Sequence, residues 1–310
     1  MEKEDQGNII LVHKGALGDF LIAWPLFLSI RSRFPGADIY WHGREAFLPW
    51  LEPLGIHKVG PGLGNALDSL YSRSCWPEAL QGYTVFWFGL DKVTVPAHRD
   101  LVYLTGIETC QCIHVRTTYA AQLETQGIPF RNDWHEVWLR HFSEDHPPEH
   151  ALIFPGSGHH FKNWSLENFV WAAQHLEQSG LQAKLVLGPA EENLDLPDSA
   201  PEHILCRDLA ELQRLIQKSV LLVGNDSGPM HLGAMFQVPG LVLFGPTPTY
   251  RWAPQGMQHL ESPAECAPCT ATARINCSHP ICMSSISREQ VRLDLDKLLR
   301  GLNYFPSRFL

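Results

Sequence analysis

Positive charge is scarce in this chain. Of 310 residues, 24 are Lys or Arg against 33 Asp or Glu, a formal net charge of -9. A nucleic-acid-binding surface concentrates Lys and Arg against phosphate, so this balance excludes a nucleic-acid partner. It leaves open a local basic patch against a membrane face. Long hydrophobic runs are also missing. Met1 to Gly7 is acidic and polar, unlike a secretory signal. The most apolar helical stretch, Phe20 to Ile30, is too short to span a bilayer and carries Pro25. The expected location is therefore the cytoplasm, with peripheral contact at the inner membrane face left open. Eight cysteines in a chain this long do not make a disulfide scaffold. No internal repeat or low-complexity tract stands out.

A hydrophobic content of 45% with 18% charged residues belongs to a soluble globular protein. The length suits one large or two medium domains. Apolar runs alternate with helical spacing: strands at Asn8 to His13, Asp38 to His42, Thr84 to Phe88, Ala151 to Phe154, Lys184 to Leu187, Val220 to Val223 and Gly240 to Phe244. Helices are expected at Phe20 to Phe34, Glu45 to Leu54, Tyr119 to Gln126, Ser165 to Ser179, Leu209 to Lys218 and Leu293 to Leu302. That alternation predicts an α/β protein with parallel sheets covered by helices on both faces. Pro147-Pro148, within the polar stretch Ser143 to His150, reads as a linker. The expected domains are thus 1–146 and 147–285, with 286–310 as a closing helical segment.

The turns after the strands carry the chemistry. Gly224-Asn225-Asp226-Ser227-Gly228-Pro229-Met230-His231 follows a buried strand and opens a helix. A helix start presents unpaired N–H groups and the positive end of the helix dipole, a seat for phosphate. Asp226, Ser227 and His231 add side-chain donors and acceptors there. The same pattern also describes an ordinary turn with Asp or Ser as N-cap. Lys14-Gly15-Ala16-Leu17-Gly18-Asp19 is a second strand–glycine loop–helix unit. Asp19 at the helix start is stabilised as a carboxylate by the dipole, and is either an N-cap or a candidate base. Further glycine-bearing turns follow at Pro155-Gly156-Ser157-Gly158, Gly188-Pro189-Ala190-Glu191 and Gly245-Pro246-Thr247. In open parallel sheets ligands bind at this carboxyl edge. Cys266-x2-Cys269-x7-Cys277-x4-Cys282 carries ligand-like spacings. Packed thiols, a disulfide or a structural metal all satisfy it, and four thiolates leave no open catalytic position on a metal.

These pieces, in their order and separation, resemble the heptosyltransferases of lipopolysaccharide core synthesis, glycosyltransferase family 9. The resemblance rests on Lys14 to Asp19 with Pro25, Phe34-Pro35-Gly36-Ala37-Asp38-Ile39, and Phe154 to Gly158 with Lys162-Asn163-Trp164-Ser165. It continues through Gly224 to Gly228 with His231, Leu243 to Thr247, and the cysteine-bearing tail. It implies a GT-B fold, two Rossmann-like domains with parallel sheets facing a central cleft. The N-terminal domain would take the acceptor and the C-terminal domain the nucleotide-sugar, with the closing helix returning to the first domain. It implies inverting transfer without a required metal or cofactor. The donor is then a nucleotide-diphosphate sugar such as ADP-heptose, and the acceptor a lipopolysaccharide-core, other glycan or lipid-linked glycan.

In that frame Asp19 takes the acceptor proton and Lys162 supplies a cation to the departing diphosphate. Gly18, Ser157, Gly158, Ser227 and Gly228 line the donor, Asp226 and His231 shape its site, and Glu191 accepts from ribose hydroxyls. Between Gly60 and Thr118 only Arg73, Lys92, Arg99 and Arg116 are basic, few for an anionic acceptor. Two other readings stay open: a GT-B-type nucleotide-sugar epimerase or hydrolase, and a non-catalytic nucleotide-sugar-binding protein.

Overall fold

The computed structural model describes residues 7–303, apart from 73–74, 92–95, 108–111, 270–274, 276 and 279. The chain divides into two compact units, Met1–Phe142 and Ser143–Leu310. Among the described residues, no helix is long and apolar enough to cross a membrane.

The first unit contains strands β1 (Asn8–His13), β2 (Ile39–Gly43), β3 (Ile56–Lys58), β4 (Tyr83–Gly89) and β5 (Leu101–Thr105). They form a parallel sheet in the order β3-β2-β1-β4-β5. Helices α1 (Leu17–Arg33), α2 (Pro61–Ser69), α3 (Val115–Thr125) and α4 (Trp134–Phe142) accompany it. Every residue of α1 from Phe20 to Ile30 is buried. A helix apolar on all sides belongs inside, and each fully buried large side chain contributes roughly 1.5–3 kcal/mol. Pro25 removes one backbone donor inside this helix, and Ser29 Oγ donates to the Pro25 carbonyl at 2.8 Å. Arg116 on α3 fastens the helical layer: Nε donates to the Ile22 carbonyl and the guanidinium lies 4.4 Å from the Trp134 ring centroid. Burial lowers its pKa to about 10.

Several elements depart from the sequence expectation. Glu45 to Leu54 folds as two 3-10 turns, Glu45–Trp50 and Glu52–Leu54. Pro49 and Pro53 each lack the N–H that an α-helix needs there. The stretch from Asp91 to Thr118 contains β5 and the start of α3, which opens four residues before Tyr119.

The second unit runs β6 (His150–Phe154), α5 (Leu166–Gln178), β7 (Ala183–Leu187), β8 (His203–Leu205), α6 (Leu209–Gln217), β9 (Ser219–Asn225) and α7 (Gly228–Met235). It continues with β10 (Gly240–Phe244), α8 (Thr249–Trp252), β11 (Gln258–Glu261), α9 (Ile281–Ser284) and α10 (Arg288–Asn303). Its parallel sheet is ordered β11-β10-β9-β6-β7-β8. Strands β6 and β9 are buried at every position, as befits a sheet covered on both faces. One core layer joins Ile153, Val223 and Leu243 of the sheet to Phe169 and Leu176 of α5 and to Val291 and Leu295 of α10. Helix α10 thus packs within this unit, against α5, β10 and β11.

In each sheet the chain starts near the middle and builds outward in both directions. The reversals fall between β1 and β4 and between β6 and β9. Connections on the two sides then leave toward opposite faces, opening a crevice at the carboxyl edge.

Candidate functional site

In the second unit that crevice is lined by the turns after β6 and β9. Asn225, fully buried at the end of β9, holds them together. Its Oδ1 accepts from the Trp164 backbone N–H at 3.0 Å and its Nδ2 donates to the Pro155 carbonyl at 2.7 Å. The polar loop 155–164 is thereby clamped to the strand end. The loop's far side is anchored by Trp164 Nε1, which donates to the Ile286 carbonyl at 2.9 Å.

The clamp brings Lys162 to Asp226. Lys162 Nζ lies 2.6 Å from Asp226 Oδ2, with side-chain exposures of only 12% and 8%. Thr247, from the turn after β10, donates its hydroxyl to the same carboxylate oxygen at 2.8 Å. His231, also buried, places Nε2 3.9 Å from Asp226 Oδ1. Partnering makes the burial of both charges tolerable. Next along the chain, Ser227 is the N-cap of α7 but makes no capping hydrogen bond. Its Oγ is buried without a partner. With Gly228 at the first helical position, the α7 N-terminus offers unpaired amides and an uncommitted hydroxyl beside a buried ammonium group. That combination suits an oxyanion.

The neighbouring loops divide. Ser157 Oγ lies 2.5 Å from Asn163 Oδ1 and 2.9 Å from the His159 carbonyl, so its hydroxyl is committed to its own loop. Gly158 is exposed, with nothing near a would-be Cβ. Glu191 accepts from the Gly188 N–H at 2.9 Å and lies directly over Gly156. A Cβ on Gly156 would meet Glu191 Oε1 at 2.3 Å, so a side chain there would push that carboxylate aside. A carboxylate there suits hydroxyl donors and disfavours a phosphate.

In the first unit Asp19 is not the N-cap. Ala16 holds that position and Asp19 is the third residue of α1, with Oδ2 accepting from the Ala16 N–H at 2.9 Å. Asp19 is partly exposed, and Gly18 lies in the same first turn. His13, at the end of β1, is 2% exposed. Burial, with nearby Arg44 adding, lowers its pKa to about 4, so the imidazole is neutral. A Cβ on Gly15 would sit 2.8 Å from both His13 Cε1 and Asp19 Cβ, which explains the glycine. Tyr119 is near enough for the Asp19 charge to help raise its phenol pKa, after burial.

Sequence reasoning missed Asn225, Thr247 and a Lys14–His42–Asp68 cluster. Lys14 Nζ stands 2.7 Å from His42 Nε2 and 3.0 Å from Asp68 Oδ1, at the carboxyl edge that also carries Asp19. Lys14 precedes the Gly60 to Thr118 stretch with its four basic residues. Of the four found there, Arg73 and Lys92 fall outside the described residues, Arg99 is exposed beside Asp100, and Arg116 is spent on packing. A buried asparagine within an otherwise apolar strand was the available signal for Asn225.

Comparison with known proteins agrees with this layout. The sequence model described as "Glycosyltransferase family 9 (heptosyltransferase)" matches residues 119–281. The chain is 30% identical over 114 residues to lipopolysaccharide heptosyltransferase 3 of Escherichia coli K12, across 34% of this chain and 33% of that one. Matches to curated relatives span between a third and just under half of those relatives' length. A glycosyl transferase family 9 structure from Veillonella parvula superposes with a TM-score of 0.67 at 19% identity, covering 97% of this chain and 99% of that one. E. coli heptosyltransferase WaaC with ADP-2-deoxy-2-fluoro heptose gives 0.62 at 14% identity, covering 94% and 99%. At such identities these structures establish the fold, which is the GT-B type with two parallel α/β units.

Proposed function

Since the chain belongs to glycosyltransferase family 9, we propose that it is an inverting sugar transferase using a nucleotide-diphosphate donor, ADP-heptose in the first instance. The acceptor is a hydroxyl of a lipopolysaccharide-core or related glycan. The observation that carries this reading is the buried Lys162–Asp226 pair at the mouth of α7, next to the unpartnered Ser227 hydroxyl. A diphosphate gathers negative charge as it leaves, and preorganised donors stabilise that charge most where water is excluded. Lys162, the α7 amides and Ser227 are such donors. Asp226 and Thr247 hold the ammonium in place before the donor arrives. Glu191 takes the ribose hydroxyls.

The acceptor hydroxyl attacks the anomeric carbon, the new C–O bond forms as the bond to the diphosphate oxygen breaks, and the anomeric centre inverts. Asp19 receives the hydroxyl proton. Its partial exposure and its place at the carboxyl edge of the first sheet support that role. No acid is needed on the leaving side, because a diphosphate departs without protonation. E. coli heptosyltransferase WaaC, which shares the fold, is found with an ADP-heptose analogue, and this supports the donor class.

The test is transfer from ADP-heptose to a panel of core-type glycans, with and without Asp19→Asn, alongside donor binding by calorimetry. Turnover lost in the variant with donor affinity kept supports the assignment. Undiminished turnover removes Asp19 from its role, and free or epimerised sugar released without acceptor points to the hydrolase or epimerase reading. Tight donor binding without turnover across the panel points to a binding protein.

A further inference from the structure

Cys266, Cys269, Cys277 and Cys282 are free thiols, and among the described residues no three His, Cys, Asp or Glu side chains stand together as metal ligands. The chemistry that the transferase reading leaves unused lies in the first unit. Ile10 and Val12 of β1 share a core layer with Leu67 of α2. Side chains alternate along a strand, so Lys14, two residues beyond Val12, leaves the sheet edge on that same side. There its ammonium meets His42 of β2 and Asp68 of α2. The three groups converge on one nitrogen: His42 Nε2 is 2.7 Å from Lys14 Nζ and 2.9 Å from Asp68 Oδ1.

The His42 side chain is 10% exposed, against 41% for Lys14 and 57% for Asp68. Burial is the largest influence on the imidazole and holds its pKa below the ordinary histidine value, so the ring is neutral. A neutral imidazole nitrogen donates or accepts, never both. Nε2 therefore serves the ammonium or the carboxylate, and in either tautomer it fixes where the pair stands. Within the cluster Lys14 uses at most two of its three N–H groups, and Asp68 uses one oxygen. Exposed ion pairs add only about 0–1 kcal/mol to stability, so holding this one on a nearly buried ring does little for the fold. Three residues past Asp68, Tyr71 is 48% exposed. Its ring stands edge-on to buried Trp87 of β4, with centroids 5.2 Å apart at 83°. The Asp68 charge adds to the burial that raises the Tyr71 phenol pKa. A half-exposed aromatic ring, seated on a buried one, is an apolar plate beside the ion pair.

We propose that Lys14, Asp68 and Tyr71 form a subsite for an uncharged pyranose ring of the acceptor, with His42 as their positioning residue. Sugar hydroxyls both donate and accept, so a neighbouring hydroxyl pair matches an ammonium and a carboxylate side by side. The C–H face of the ring covers Tyr71. A phosphorylated sugar gains Lys14 but meets Asp68, 3.0 Å from that ammonium, and the attraction and repulsion nearly cancel. A net-neutral pair thus selects a neutral ring. Gly15 links the subsite to the candidate base: it follows Lys14, and a Cβ on it would lie 2.8 Å from Asp19 Cβ. Lys14 and Asp19 belong to one folded loop, so a ring seated on the cluster brings its glycan to the carboxylate. The subsite's place in transfer rests on the function proposed above; its binding of a neutral sugar does not.

The experiment is saturation-transfer NMR on the full chain, without nucleotide-sugar, using the methyl glycosides of glucose, galactose and mannose and their 6-phosphates. Ring-proton signals are expected from at least one uncharged glycoside, and weaker ones from its phosphate. Tyr71→Ala and Asp68→Asn should each weaken that binding about tenfold, the scale of a lost hydrogen bond to a charged group. His42→Gln, whose amide still pairs with a neighbour, should keep the binding that His42→Phe loses. The preference of the unaltered chain for neutral over phosphorylated glycoside needs no variant, so a misfolded variant leaves the test intact. No signal from any uncharged glycoside, a preference for the phosphates, or variants that lower Tm while glycoside binding stays unchanged would overturn the subsite. In transfer assays Tyr71→Ala and Asp68→Asn should raise the acceptor KM about tenfold and leave the donor KM unmoved. Glycoside binding without transfer to any acceptor would uphold the subsite and refute the transferase reading. Transfer whose acceptor KM ignores both substitutions would do the reverse.

Discussion

Each unit sends a central strand through a turn into a helix, with an aspartate in the turn (Asp226) or in the helix's first turn (Asp19), yet the two aspartates are treated oppositely. Asp226 is nearly buried and held by Lys162 and Thr247, with His231 close by. Asp19 is partly exposed, held through Oδ2 by the Ala16 N–H three residues away. A carboxylate fixed against a buried cation is an anchor, since protonating or moving it strands a charge. One that solvent reaches can exchange a proton. The same local motif thus yields a scaffold in one sheet and a candidate reagent in the other, and the surrounding side chains decide which.

The largest expected effects break this contrast outright. Asp19→Asn should reduce kcat by roughly 10²–10⁴-fold, the usual worth of a general base, with little change in Tm or donor affinity. Lys162→Met should act on stability as well as rate. It leaves Asp226 buried without its cation, at a cost of about 3–5 kcal/mol in urea unfolding, and adding Asp226→Asn should return much of that loss. If Asp19→Asn destabilises as strongly as Lys162→Met, the two aspartates are both anchors and the distinction fails.

A third experiment sharpens the contrast on the first unit. The His13 imidazole has a folded pKa of about 4 against the ordinary histidine value of 6.5. The unfolded chain therefore binds a proton between those values while the folded chain does not. His13 contributes its full stability above about pH 6.5, and that contribution declines as pH falls toward 4, by on the order of 3 kcal/mol. Its Nδ1 is buried without a partner, so His13→Phe should remove this part of the pH dependence in urea melts between pH 4 and 7. An unchanged slope would show that water reaches the ring. The smallest effect is expected at Thr247→Val, which removes one hydrogen bond from Asp226 and should cost about 1–2 kcal/mol. A loss near zero would mean that Lys162 alone holds the carboxylate.

The buried central strands and their turns were legible because β1, β6, β9 and β10 are apolar runs ended by glycine or polar residues. What escaped was at the margins. β3 and β8 have three residues each and lie at sheet edges, β11 also lies at an edge, and half-exposed edge strands carry no continuous hydrophobic run. α2 holds Gly62, Gly64 and Pro61, poor helix formers that tertiary packing overrides. α4 was readable in principle: Trp134, Val137, Trp138 and Phe142 recur on one helical face and are all buried. At the site, residue types pointed to Lys162, Asp226 and Ser227 as participants, but the Lys162–Asp226 pairing joins positions 64 apart and follows from the strand order. The inward turn of Ser157 depends on Asn163 and the local loop path, which no spacing rule reports.

Asn225 sets a condition on any attempt to transplant donor preference. The segment 155–164 looks like a portable cassette, yet its conformation is written partly in an amide on a strand some sixty residues downstream. A chimera that imports the segment into a host lacking that amide would receive the right letters in the wrong shape. Exchange between relatives should therefore be designed in pairs, segment and strand end together, with the host's own strand residue treated as part of the insert.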